Sequence, residues 1–111
     1  MRERLREFLH DIEGVEVVGD AATPGDAVDG ILASHPDLVL LDFQLDGGTG
    51  IDVLRGVRRR VPNVVFAVLT QHAGAQYRRA CLDAGANYFF DKMAELGHIR
   101  QVIADVAAVR N

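Results

Sequence analysis

The stretch "LVLLDFQLDGGTG", Leu38 to Gly50, ends a run of four aliphatic residues on a bare carboxylate, Asp42, and follows it with a glycine-rich loop. A strand this apolar does not alternate, which predicts burial on both faces, as in a parallel sheet covered by helices. The glycines at 47, 48 and 50 allow the loop to fold over the strand end without steric cost. Thr49 is placed to cap a helix from Gly50 to Val61, with Asp52 at the capping-box position and Pro62 as the stop.

The same pattern surrounds this stretch. "VEVVGDA", Val15 to Ala21, is short and rich in β-branched residues, so it reads as a strand; Thr23 and Pro24 then open a helix that buries Ala27, Val28, Ile31 and Leu32. That helix stops before His35-Pro36, because the residue preceding proline is pushed out of the helical region. "NVVFAVLT", Asn63 to Thr70, is a second fully apolar strand. Tyr77, Ala80, Cys81 and Ala84 mark the inner face of the next helix, Gly85 closes it, and "ANYFF" is a last strand ending near Lys92. Leu5, Phe8, Leu9 and Ile12 give an amphipathic helix at the start, and Ile99, Val102, Ile103 and Val106 another at the end. A helix followed by four strand–helix units specifies an α/β fold with a parallel sheet, and no linker or repeat divides residues 1–111, so a single domain is expected.

Composition narrows the function. At 111 residues, 49% hydrophobic and 25% charged, the chain has the make-up of a globular domain. A net charge of −4 argues against a general nucleic-acid or anionic-membrane binder, which needs basic excess. The lone Cys81 makes no internal disulfide, and no apolar span of about 18 residues is present, so a cytoplasmic location is expected. Arg58, Arg59 and Arg60 point in different directions on a helix and read as a solvated face. His10, His35, His72 and His98 show no metal-ligand spacing.

In an open parallel sheet, functional groups gather beyond the carboxyl ends of the strands. Three such ends carry Asp42, Thr70 and Lys92. A carboxylate, a hydroxyl and an ammonium at one edge can hold a phosphoryl group as nucleophile, donor and counter-charge.

At this point the whole chain resembles the receiver domain of two-component response regulators, with a flavodoxin-like sheet carrying helices on both faces. The resemblance implies that Asp42 in "LVLLD" accepts phosphate from a histidine kinase or phosphotransfer protein, that Thr70 and Lys92 contact the phosphoryl group, and that Thr70 and Phe89 form the switch. Gly50 matches the family glycine opening the third helix, and "DAGANYFFDK", Asp83 to Lys92, resembles the fifth-strand signature. Gln44, Gln71 and His72 fall where residues modulate the pocket. The resemblance also implies magnesium, held here by Asp42 and the backbone carbonyl of Gln44.

The sequence departs from the family at its start. The family's first strand, which ends in an acidic pair that holds the metal, has no counterpart; the chain begins within the family's first helix, so a sheet truncated to four strands is expected. Truncation and natural degeneration both account for this. Asp46 stands at the usual proline after the acceptor loop, Met93 at the proline after the lysine, and Gln71 adds bulk where a small residue is usual. Four lost aliphatic residues would remove on the order of 10 kcal/mol of burial. Either the second strand therefore moves in to pair with the third, or a second copy of the chain covers the gap. With one obvious carboxylate, magnesium binding is expected to be weak or absent and phosphorylation impaired.

The leading reading is a stand-alone, non-enzymatic receiver that signals by protein contacts through the fourth helix, fifth strand and fifth helix. The alternative is a phosphorylation-independent pseudo-receiver that dimerises or binds partners. A metal-dependent phosphohydrolase generally needs a second acid where Gln44 stands.

Overall fold

The computed structural model describes residues 2–71, 75–91 and 96–110. The chain runs α1 (Arg2–His10), α2 (Pro24–Ser34), β1 (Leu38–Asp42), β2 (Gln44–Leu45), β3 (Gly48–Thr49), α3 (Gly50–Val57), β4 (Val65–Thr70), α4 (Ala75–Asp83), β5 (Tyr88–Asp91) and α5 (Leu96–Arg110). The main sheet is parallel in the order β1-β4-β5, and β2 and β3 form a small antiparallel pair. Gly47 makes the reversal between them with a φ of +86°, a conformation that only glycine adopts without strain.

Alternation along the strands divides the core between the two faces of the sheet. Leu41, Phe66, Val68 and Phe89 are buried with α2 and α3 residues Ile31, Val53, Leu54 and Val57, and with Cys81 of α4. Leu69 is buried against Ile99 and Ile103 of α5, joined by Phe8, Leu9, Leu38, Leu40 and Phe90. This is the doubly covered parallel sheet that the apolar runs predict.

Helix α2 starts and stops as its sequence dictates. The Asp26 N–H donates to the Thr23 hydroxyl at 3.2 Å, Pro24 opens the helix, and His35 takes a left-handed φ of 49° just before Pro36. Helix α3 ends earlier than expected, at Val57, because the chain tightens into turns: the N–H groups of Arg60 and Val61 both donate to the Val57 carbonyl.

The strand expected over 15–21 is not formed. Val15 packs by its side chain into the cluster holding Leu38 and Leu40, but the segment joins no ladder, so the main sheet has three strands and not four. The direct pairing of this segment with the next strand, one of the two repairs anticipated, is therefore absent. The consequence is seen at β1. The Val65 N–H donates to the Asp37 carbonyl and the Phe43 N–H to the Leu69 carbonyl, so odd-numbered residues face β4. The backbone groups of Leu38 and Leu40 consequently face the outer edge, where no strand lies among the described residues. Leu38, Val39 and Leu40 are only half-buried, whereas Phe66 to Thr70 of the central strand are buried throughout. In the segment 15–21, Val18 is 56% exposed.

Candidate functional site at the carboxyl edge of the sheet

Register brings two of the three proposed phosphoryl contacts to one edge. Asp42 lies opposite Leu69, one residue before Thr70, and Thr70 lies opposite Asp91, one residue before Lys92. Asp42 is half-buried and Thr70 is 2% exposed, and both side chains or their backbones are engaged by neighbours. Lys92 and His72 lie outside the described residues.

The backbone after Asp42 is pinned on two sides. The Phe43 N–H donates to the Leu69 carbonyl and the Phe43 carbonyl accepts from the Gly50 N–H, each at 2.8 Å. This second bond draws the start of α3 against the end of β1. A Cβ on Gly50 would stand 2.9 Å from the Asp42 carbonyl oxygen and 3.1 Å from Leu41 Cγ, so glycine is required by the close approach. The loop is tied in the other direction by the Asp46 N–H, which donates to the Ala22 carbonyl at 2.9 Å. At the head of α3 the Asp52 carboxylate accepts from the Thr49 N–H at 2.9 Å, and a Cβ on Gly48 would meet that carboxylate and the Pro24 ring. Glycines 48 and 50 thus serve contact, and Gly47 serves the turn.

Of the remaining candidates, Gln44 and Gln71 are exposed, while Phe89 is buried at 7% beside Val68 and Cys81. Reading the sequence missed one contact at this edge. The Phe43 ring meets the Tyr77 ring of α4 edge-on, with centroids 5.3 Å apart and planes at 69°. An aromatic residue directly after Asp42 was the available signal. Tyr77 is 39% exposed and Ala80 is exposed, so the inner face expected for α4 is corrected: among its described side chains only Cys81 is buried.

Arg58 also departs from the expected solvated face. With α3 ending at Val57, its guanidinium turns in and donates to the carbonyls of Val64 (2.6 Å) and Val61 (3.3 Å) and to Asn87 Oδ1 (3.1 Å), while lying 5.0 Å from the Phe66 ring centroid.

Magnesium favours an octahedron of hard oxygen ligands. Among the described residues no three His, Cys, Asp or Glu side chains converge. Of the donors expected from the sequence, Asp42 ends β1 at this edge and Gln44 follows it two residues later, in β2.

Known proteins share this architecture and sequence. The family model for the response regulator receiver domain matches residues 1–104. The chain belongs to the response regulator receiver family. The receiver is similar to response regulator UvrY of Escherichia coli O6:H1, with 31% identity over 106 residues covering 96% of this chain and 49% of that protein. It is also 36% identical over 96 residues to a protein-glutamate methylesterase/protein-glutamine glutaminase of Pseudomonas fluorescens, covering 85% of this chain and 26% of that enzyme. The receiver therefore spans about a quarter to a half of these curated relatives. Among solved structures, a LuxR-family two-component response regulator from Aurantimonas sp. superposes with a TM-score of 0.88 at 28% identity, over 96% of this chain and 77% of that one. The NarL signal receiver domain of Mycobacterium tuberculosis does so with a TM-score of 0.86 at 28% identity, over 96% and 86%. These neighbours carry the flavodoxin-like fold that the sequence predicts. No helix among the described residues is long and apolar enough to cross a membrane.

Proposed function

We infer that this receiver accepts a phosphoryl group on Asp42 from a histidine kinase or phosphotransfer protein and passes the signal on through protein contacts. The observation that supports this reading is the register of β1 and β4, in which Asp42 ends its strand opposite Leu69, the residue before Thr70. In the transfer an Asp42 carboxylate oxygen attacks phosphorus, the bond from phosphorus to the donor's histidine nitrogen breaks, and the electron pair returns to the imidazole. Thr70 donates to a phosphoryl oxygen and Lys92 balances its charge. Thr70 and Phe89 then carry the switch to the face formed by α4, β5 and α5.

The reaction is slow, because magnesium takes hard oxygen ligands and, among the described residues, no three His, Cys, Asp or Glu side chains converge at the acceptor edge. Magnesium accordingly binds weakly. The protein works in the cytoplasm, and a second copy covers the open edge of β1, burying the backbone of Leu38 and Leu40. Receivers act as signalling modules, and the esterase activity named for the Pseudomonas relative is not assigned to this chain.

The test is transfer of labelled phosphate from a phosphorylated histidine kinase, with Thr70→Ala and Lys92→Ala beside the parent chain. Both substitutions should lower the labelling rate. Labelling that neither changes would remove these two residues from the site. Sedimentation velocity across a concentration series tests the second copy: a growing dimer peak is expected, and a monomer at every concentration would exclude it.

A further inference from the structure

Helix α4 buries few of its side chains. Among its described side chains only Cys81 is buried, while Gln76, Arg78, Arg79 and Ala80 face solvent. Elements with few buried contacts are the ones that shift at low cost. Near its first turn, however, the Tyr77 ring meets the Phe43 ring edge-on at 5.3 Å.

Phe43 is an unusual anchor for such a contact. It follows Asp42 directly, and its backbone is fixed by two hydrogen bonds of 2.8 Å, one to Leu69 and one from Gly50. Any change that moves the backbone at the end of β1 therefore moves this ring. Its side chain belongs to the same face of the sheet as Leu41, Val68 and Phe89, the face that α4 covers. Phe89 is already packed into that core at 7% exposure, whereas Tyr77 retains 39%. Tyr77, the more exposed of the two, has room to change its surroundings and touches the neighbour of Asp42 directly.

We propose that the Phe43–Tyr77 ring pair couples the backbone at Asp42 to the position of α4, so that a change at the acceptor end is transmitted to α4 through these two rings. The coupling is reciprocal: a partner that holds α4 against the domain also holds Phe43, and with it the Asp42 backbone. The idea rests on Asp42 being the functional end of β1, but it requires no phosphoryl transfer.

The test exploits that independence. Amide hydrogen exchange along α4 is measured in the parent chain and in Asp42→Asn, then again with each ring removed in turn by Phe43→Leu and by Tyr77→Leu. Circular dichroism checks that each chain is folded, and either ring variant alone is sufficient to decide. With both rings present, Asp42→Asn should change exchange in α4 by about two- to tenfold, the equilibrium factor an aromatic pair carries. With either ring replaced, the same substitution should leave α4 unchanged. An equal response with and without the rings, or no response in the parent chain, would overturn the coupling. Failure of phosphoryl transfer to Asp42 would instead overturn the acceptor reading and leave this result standing.

Discussion

Gly50 and Asp42 are in backbone contact: a Cβ on Gly50 would lie 2.9 Å from the Asp42 carbonyl oxygen. Because the obstructing atom is backbone, no side-chain rotation relieves it. Gly50→Ala is expected to destabilise the domain by about 1 to 2 kcal/mol, the overpacking cost exceeding what alanine returns in helix propensity. Urea denaturation measures this as a lower midpoint with unchanged slope. The substitution should also shift the amide resonances of Phe43, whose carbonyl accepts from Gly50.

Arg58 holds the amino-terminal end of the sheet, opposite the candidate site. Its guanidinium satisfies two loop carbonyls and Asn87, and Asn87 in turn accepts from the Phe66 N–H and donates its own N–H to the Phe66 carbonyl. Arg58→Ala should cost about 2 kcal/mol, in the range for hydrogen bonds to a charged group. Arg58→Lys should recover less than half of that, since an ammonium lacks the planar fork that reaches three acceptors. Equal midpoints for Arg58→Lys and the parent in urea would refute this role.

Gly85 is fitted to the same clamp. Its φ is +115°, and a Cβ there would stand 2.5 Å from Arg58 Cγ. Gly85→Ala is expected to lose about 1 to 3 kcal/mol from strain and overpacking together, again read by urea denaturation. In an Arg58→Ala background the loss should shrink, because the obstructing side chain is gone.

Cys81 is fully buried, and burial raises its thiol pKa above the ordinary value. A raised folded-state pKa favours the neutral thiol in the folded domain, so its contribution to stability is complete below the unfolded pKa. That contribution declines as pH rises through about 8.5, where the unfolded thiol begins to ionise. Cys81→Ala should flatten this alkaline loss in a thermal-melting series. In the native parent, alkylation of Cys81 should be slow at pH 8 and become fast in denaturant.

How far the sequence could be read follows from how local each signal is. The Thr23 cap, the stop before Pro36 and the apolar runs of β1 and β4 all depend on near neighbours, and the structure contains each of them. The segment 15–21 has equally good strand composition, yet a strand exists only when another strand exchanges hydrogen bonds with it, and composition carries no such information. Arg58 was misread for a related reason. Its direction depends on α3 ending at Val57, a boundary set by turns that the run of three arginines does not announce. Tyr77 sits at helical spacing with Cys81, but its ring lies against Phe43 and stays 39% exposed, whereas Cys81 is buried. That the ends of β1 and β4 lie at one edge was legible because a parallel sheet brings successive strand ends together regardless of such details.

The acceptor role of Asp42 is tested most directly by intact mass after incubation with acetyl phosphate and magnesium, with Asp42→Asn treated in parallel. A slowly accumulating adduct of one phosphoryl group, absent from Asp42→Asn and discharged by hydroxylamine as an acyl phosphate must be, is the expected result. An adduct of equal yield in Asp42→Asn, or none at all in a folded parent chain, would contradict it.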